Sequence, residues 1–132
     1  MKKWGVLFLL LFAIWLEKSS LFFQNTLDED SIKIGVLHSL SGTMAISEKP
    51  LVNAVKLAVE ELNAQGGLLG RKLEVIVTDI ASDPETAALQ AEQLILQAKV
   101  DVLFGCWTSS CRVAVKPIVE KHKHLLFYHC AI

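Results

Sequence analysis

The groups most able to bind a metal or attack a carbonyl lie in the last third of the chain: Cys106, Cys111 and Cys130, with His122, His124 and His129. A zinc site needs its nitrogen and sulfur ligands in compact pairs, usually about two to four residues apart, converging on one point. Cys106 and Cys111 do not match that spacing; the first is expected at a strand end and the second on the following helix. Ordinary packing is therefore the reading for both, and no metal is expected. Three cysteines are also too few, and too oddly numbered, for a disulfide scaffold. Ser109 and His122 invite comparison with a nucleophile and its base. No Gly-x-Ser-x-Gly elbow surrounds the serine, however, and a whole helix separates the two. The run Gly66-Gly67-Leu68-Leu69-Gly70-Arg71-Lys72 has the composition of a phosphate loop but follows a helix and precedes a strand, the reverse of the required order. It reads as a helix stop and a hairpin-like turn. Asp79 and Asp83 read as a solvated loop carboxylate and a helix cap rather than an acid–base pair. No catalytic constellation and no cofactor site are left, so an enzyme is not expected. What remains is binding by hydroxyl groups, which crowd into residues 38–47 and 106–110.

The 132 residues suffice for one domain with a core. At 52% hydrophobic and 20% charged the chain is no disordered tail. A net charge of −1 offers no footprint for nucleic acid. Met1-Lys2-Lys3 precedes an unbroken apolar run over residues 4–16, the build of an export signal and shorter than the roughly 20 residues of a bilayer span. No small-x-small pair follows, and no cysteine lies close enough for a lipid-modified start. Export is expected, through a cleaved signal peptide or an uncleaved anchor over residues 4–23. Residues 24–31 read as a polar linker, which divides the chain into residues 1–30 and a folded part, 31–132.

Strand and helix signals alternate across that folded part. Residues 32–37 (IKIGVL) suit a buried strand. Leu51, Val55, Ala58 and Leu62, with Val52 and Val59 beside them, mark the inner face of an amphipathic helix of about four turns. Pro50 fits its first turn, and Gly66 fits the left-handed stop. Residues 73–78 (LEVIVT) form a second strand. Asp83-Pro84 caps a second helix, with Ala87, Ala91, Leu94, Ile95 and Ala98 inward. A third strand is expected over residues 100–104 and a third helix over 110–121, kinked at Pro117. Residues 125–128 (LLFY) give a fourth strand. Helices of this length between strands demand parallel pairing through right-handed crossovers. The expected fold is thus α/β, a Rossmann-like parallel sheet with helices on both faces. Ligands bind such sheets beyond the carboxyl ends of the strands, where the strand order switches. The two hydroxyl-rich loops emerge there, the second leading into a helix N-terminus able to grip a polar ligand.

The stretch from Ile34 to Tyr128 closely resembles the amino-terminal part of type I periplasmic binding proteins, and within them the urea and short-chain amide branch serving ABC importers. The resemblance is carried by HSLSGTMAISE (residues 38–48), NAQGGLLGRKLE (63–74), FGCWTSSCRVAVKP (104–117) and LLFY. It covers about the last three-quarters of this chain and the first quarter to third of a whole family member. It implies a partial N-terminal lobe, a ligand held between two lobes, and a membrane permease as partner. Trp107 and Ser109 match the positions that line the amide pocket, Tyr128 matches another pocket residue, and Ser41-Gly42-Thr43 is a turn facing the cleft. Urea is neutral, planar and rich in hydrogen-bonding groups, so hydroxyls, backbone groups and an aromatic wall suit it better than an ion pair. A pocket that leaves its own buried polar groups unpaired with a poorer ligand gains selectivity from that penalty.

After LLFY, relatives continue with a Tyr-Glu-Gly-bearing segment, whereas this chain reads His129-Cys130-Ala131-Ile132. The expectation is a truncated solute-binding protein lacking the second lobe, with apolar edges left open. Urea has about four heavy atoms worth at best about 1.5 kcal/mol each, so the ceiling is near 6 kcal/mol and needs full enclosure. Half a cleft is not expected to bind it measurably in calorimetry, with no saturable micromolar binding. Two other readings share the fold: an extracytoplasmic sensor domain of a membrane-anchored signalling protein, and an amide-responsive regulator.

Overall fold

The computed structural model describes residues 31–128; residues 1–30, with the apolar run and all of the linker but Ser31, and residues 129–132 lie outside them. Four strands, β1 (Ile32–His38), β2 (Leu73–Asp79), β3 (Val102–Gly105) and β4 (Leu126–Phe127), alternate with three helices, α1 (Ala45–Ala64), α2 (Pro84–Leu96) and α3 (Ser109–Lys121). The strands form one parallel sheet in the order β2-β1-β3-β4. Two apolar layers cover it. On one face Val52 and Val59 of α1 pack with Ile34, Val36 and Leu73. On the other, Ala87, Ala91 and Leu94 of α2 and Cys111, Val115 and Val119 of α3 enclose Leu37, Val100 and Leu103. The expected sandwich of helices around a parallel sheet is therefore the observed one, and among the described residues no helix is long and apolar enough to cross a membrane.

Local chemistry accounts for the element ends. The Asp83 carboxylate accepts from the Thr86 N–H (2.7 Å) and Thr86 hydroxyl (2.7 Å), capping α2, with Pro84 in the first turn. The hydroxyl and N–H of Thr86 hold the Asp83 carboxyl below its ordinary value. At the end of α1, Gly66 takes a φ of 106° and the Gly67 N–H reaches back to the Leu62 carbonyl, a glycine-terminated helix stop. Leu68 and Arg71 then exchange two backbone bonds, the hairpin-like turn read from the glycines.

Five expectations need correction. Helix α1 begins at Ala45, more than a turn before Pro50, so Pro50 lies inside it. Its buried face carries Glu48, Val52 and Val59, with Val55 partly buried, whereas Ala58 and Leu62 are exposed. The face is rotated because Glu48 docks onto the end of β1, which an apolar count cannot weigh. Strands β3 and β4 are shorter than expected: only Leu103↔Leu126 and Phe104↔Phe127 pair between them. Helix α3 is capped by Thr108, whose Oγ1 accepts from the Cys111 N–H, and it continues through Pro117 to Lys121. Finally, Cys106 and Cys111 are not separate packing residues; they form a disulfide with a Cα–Cα distance of 5.2 Å.

Strand β4 is an edge, with Phe127 stacked on Phe104 (centroids 5.2 Å apart) and still 54% exposed. Leu125 and Tyr128 are also exposed, as the open edge predicts.

Candidate functional site

In the order β2-β1-β3-β4 the chain reverses direction of build between β1 and β3, and the crevice of such a sheet opens beyond the carboxyl ends of those two strands. Gly105 brings the two ends together. Its φ is 141°, and a Cβ there would stand 2.0 Å from the Leu37 carbonyl oxygen, so no side chain fits. The next N–H, of Cys106, donates to that same carbonyl (3.0 Å). The loops after β1 and β3 thus share one rim.

The first loop is held from below by β2. Asp79 accepts from the Leu40 N–H (2.8 Å), the Ser41 N–H (3.2 Å), the Ala81 N–H (2.8 Å) and the Ser41 hydroxyl (2.7 Å). Partial burial pushes its carboxyl upward, but the Ser41 hydroxyl and the N–H groups of Ala81, Leu40 and Ser41 outweigh that and hold it below its ordinary value. Asp79 is therefore a brace, not the solvated loop carboxylate expected. Ser82 adds a second brace: its hydroxyl donates to the Ser41 carbonyl (3.0 Å) and accepts from the Met44 N–H (2.9 Å). Gly42, at φ 79°, lies so close to Ser82 that a Cβ would meet its Oγ at 2.6 Å. Beneath the loop, Glu48 is buried with one carboxylate oxygen shared by His38 Nδ1 (2.8 Å) and the Ser39 N–H (2.9 Å).

The second loop runs from Cys106, at φ 61°, through Trp107 and Thr108 into α3. Ser109 opens α3, and its hydroxyl accepts from Arg112 Nη2 (2.9 Å). The same guanidinium lies over the Tyr128 ring, 4.6 Å from its centroid. Arg112 therefore ties together two residues that the sequence nominates separately.

These residues fall into two cavities. The larger, about 430 Å³, lies between α3 and the end of β4 and is lined by Ser109, Arg112, Val113, Lys116, Leu126 and Tyr128 among others. The smaller, about 220 Å³, lies between the two loops; Thr43, Glu48, Ser82, Thr108, Ser110 and Cys111 line it. Ser109 and Tyr128 are thus brought together, and Thr43 faces the second loop. Ser41 and Gly42 are turned to Asp79 and Ser82, and half-buried Trp107 lines neither cavity. Sequence reasoning missed the roles of Arg112, Asp79, Ser82 and Glu48. The one available signal was the Cys106/Cys111 pair, which brackets the hydroxyl-rich loop. Among the described residues no group of three or more His, Cys, Asp or Glu side chains could hold a metal ion.

Known proteins agree with this architecture. Leu/Ile/Val-binding protein homolog 7 of Brucella abortus is 36% identical over 89 residues, which is 67% of this chain and 22% of that protein. The chain thus spans about a fifth of the length of the curated relatives it matches. The branched-chain amino acid transporter substrate-binding protein LivJ of Streptococcus pneumoniae, solved with isoleucine, superposes with a TM-score of 0.74 at 31% identity, over 77% of this chain and 30% of that one. A fatty acid ABC transporter substrate-binding protein from Thermomonospora curvata superposes with a TM-score of 0.66 at 30% identity, over 75% of this chain and 25% of that one. The periplasmic binding protein domain matches residues 32–131, and with the parallel sheet and its paired rim loops this shows that the chain belongs to the periplasmic binding protein domain family, with the type I fold.

Proposed function

We propose that this chain supplies one side of the ligand cleft of an exported solute-binding protein that serves an ABC importer, a binding role rather than an enzymatic one, and that the solute is urea or a short-chain amide. The observation that carries the reading is that Ser109, at the start of α3, and Tyr128, just after β4, line one cavity and are joined by Arg112; the cavity continues along α3 to Val119 and Glu120. A hydroxyl, an aromatic face and helix-start amides form a surface suited to a small planar solute with both donors and acceptors. Trp107 and the Ser41-Gly42-Thr43 turn complete the rim in this reading, and a membrane permease is the partner of the assembled importer.

Charge speaks against a cationic solute at the rim, while Arg112, Lys116 and Glu120 line the larger cavity. Three carboxylates at the rim are already engaged: Asp79 by the first loop, Asp83 by Thr86, and Glu48 by His38 and Ser39. None is left to meet an ammonium group without giving up a partner, which costs a buried polar group more than an exposed one.

A branched-chain amino acid is the second reading, favoured by the names of the Brucella relatives and by the isoleucine in the Streptococcus structure. The test is a ¹⁵N-resolved NMR titration of the chain with urea, acetamide and isoleucine. One face of a cleft offers about half of the ceiling affinity for a four-atom solute, about 3 kcal/mol, or a Kd of several millimolar. Urea or acetamide is expected to shift Trp107, Ser109 and Tyr128 at tens of millimolar, while calorimetry at micromolar protein detects no saturable heat. Shifts produced by isoleucine alone would replace the amide reading with the amino-acid one.

A further inference from the structure

We infer that the Cys106–Cys111 disulfide is a positioning device that holds the Trp107–Thr108–Ser109–Ser110 segment in its ligand-facing shape; the inference deepens the proposed function and rests on Trp107 and Ser109 being ligand contacts. The bond closes a short ring around that segment and no other. Both ends are anchored in the core. Cys106 is fully buried, and its N–H is held by the Leu37 carbonyl; Cys111 is 2% exposed and packs with the α2–α3 layer.

Between these anchors the disulfide is the one covalent tie of the segment to the core. Ser109 and Ser110 are exposed, and the hydrogen bonds of their hydroxyls are local, to Arg112 and Thr108. Cys106 also sits at φ 61°, a left-handed conformation that a non-glycine residue keeps only when its surroundings hold it. A covalent tie to Cys111 supplies such a hold, and the Thr108 cap of the Cys111 N–H lies inside the same ring. Removing the tie restores conformational freedom to the segment that carries Trp107 and Ser109 while leaving the sheet intact. Because both sulfurs are enclosed, the tie acts as a fixed clamp.

The test uses the whole chain. Alkylation under denaturing, non-reducing conditions is expected to modify Cys130 alone, and all three cysteines only after reduction; modification of all three without reduction would overturn the inference. Hydrogen–deuterium exchange of Cys111→Ser is expected to run about tenfold faster or more in the peptide covering residues 106–112, whose hydrogen-bonded amides are those of residues 106, 111 and 112, with the α2 peptide unchanged. Unchanged exchange in that peptide would overturn it. If Cys111→Ser unfolds the chain, seen as exchange throughout α2, the double variant Cys106→Ala/Cys111→Val keeps the core filled and carries the test. Fast exchange there supports the clamp, and exchange as slow as in the parent shows that packing alone positions the loop. Urea-induced shifts at Ser109 are expected to disappear in the variants. Absence of those shifts in the parent, with exchange behaving as expected, would sink the amide reading and leave the clamp standing.

Discussion

The guanidinium of Arg112 lies 4.6 Å from the centre of the Tyr128 ring, and with Nη2 it also reaches the Ser109 hydroxyl at 2.9 Å. One cation thus fixes the distance between a helix start and a strand end that are nineteen positions apart in sequence. Arg112→Lys keeps the charge but loses the planar fork that serves both partners at once. A cation–π contact at such a partly exposed place is worth about 0.5–1 kcal/mol, so stability should fall by no more than about 1 kcal/mol in guanidinium denaturation. The urea-dependent NMR shifts of Ser109 and Tyr128 should instead fall by about half or more, because the two groups no longer share an anchor. Equal shifts in parent and variant would show that Arg112 does not position them.

Glu48 is 1% exposed, as is His38, its partner at 2.8 Å. Glu48→Ala removes the common acceptor of the His38 ring and the Ser39 N–H inside the core. Breaking a buried polar pair from one side costs about 3–5 kcal/mol, a large share of the stability of so small a sheet. Glu48→Gln keeps an oxygen for the Ser39 N–H and should cost clearly less than Glu48→Ala. Denaturation midpoints of the two variants check the order; equal losses would mean that neither the retained volume nor the amide oxygen helps and that the carboxylate itself is required.

Asp79 gives a pH dependence of fixed sign. Folding lowers its carboxyl below the ordinary 3.8, because the hydrogen bonds from Ser41, Ala81 and Leu40 outweigh the upward push of partial burial. The unfolded chain therefore binds more protons than the folded chain in the window just below 3.8, and stability rises with pH across it. The contribution is fully present above 3.8 and is lost as pH falls through the lower folded value. Asp79→Asn removes this dependence. The stability gap between parent and variant should be constant from pH 7 down to about 5 and should narrow as the pH drops below about 4. A gap that widens with acid would contradict the brace.

Gly105→Ala would place a Cβ against the Leu37 carbonyl oxygen at 2.0 Å while demanding a φ of 141°. Neither partner is a flexible side chain, so β1 and β3 must separate at the very rim where the two loops meet. A loss of more than about 3 kcal/mol is expected, read as insoluble expression or a collapsed thermal transition. Gly66→Ala, at φ 106° with nothing within 4 Å, carries the backbone strain without the clash; it should be milder and serves as the control for the clash.

Much of this molecule is legible residue by residue. Asp83-Pro84 announces the start of α2, Ala87, Ala91 and Leu94 announce its buried stripe, and Gly66 announces the end of α1. These signals are local: a cap, a periodicity of 3.6, and a glycine at positive φ act within a few residues of each other. The start of α1 was not legible, because its first turns hold Ile46, Glu48 and Pro50, which lack an apolar stripe. They are helical because Glu48 finds its partners at the end of β1, ten positions earlier in sequence.

Composition and order of motifs alone determined that this is a parallel α/β sheet with two hydroxyl-rich loops at one end, since turn chemistry and side-chain period are written in neighbouring residues. Only the tertiary structure decided what those loops are fastened to. Asp79 became a brace and Arg112 a link to Tyr128 because strands β1, β2, β3 and β4 lie side by side, and Cys106 and Cys111 became a bond because the turn from β3 into α3 brings their Cα atoms to 5.2 Å. Contacts between residues distant in sequence depend on strand order and register, and no local pattern of residues encodes those distances.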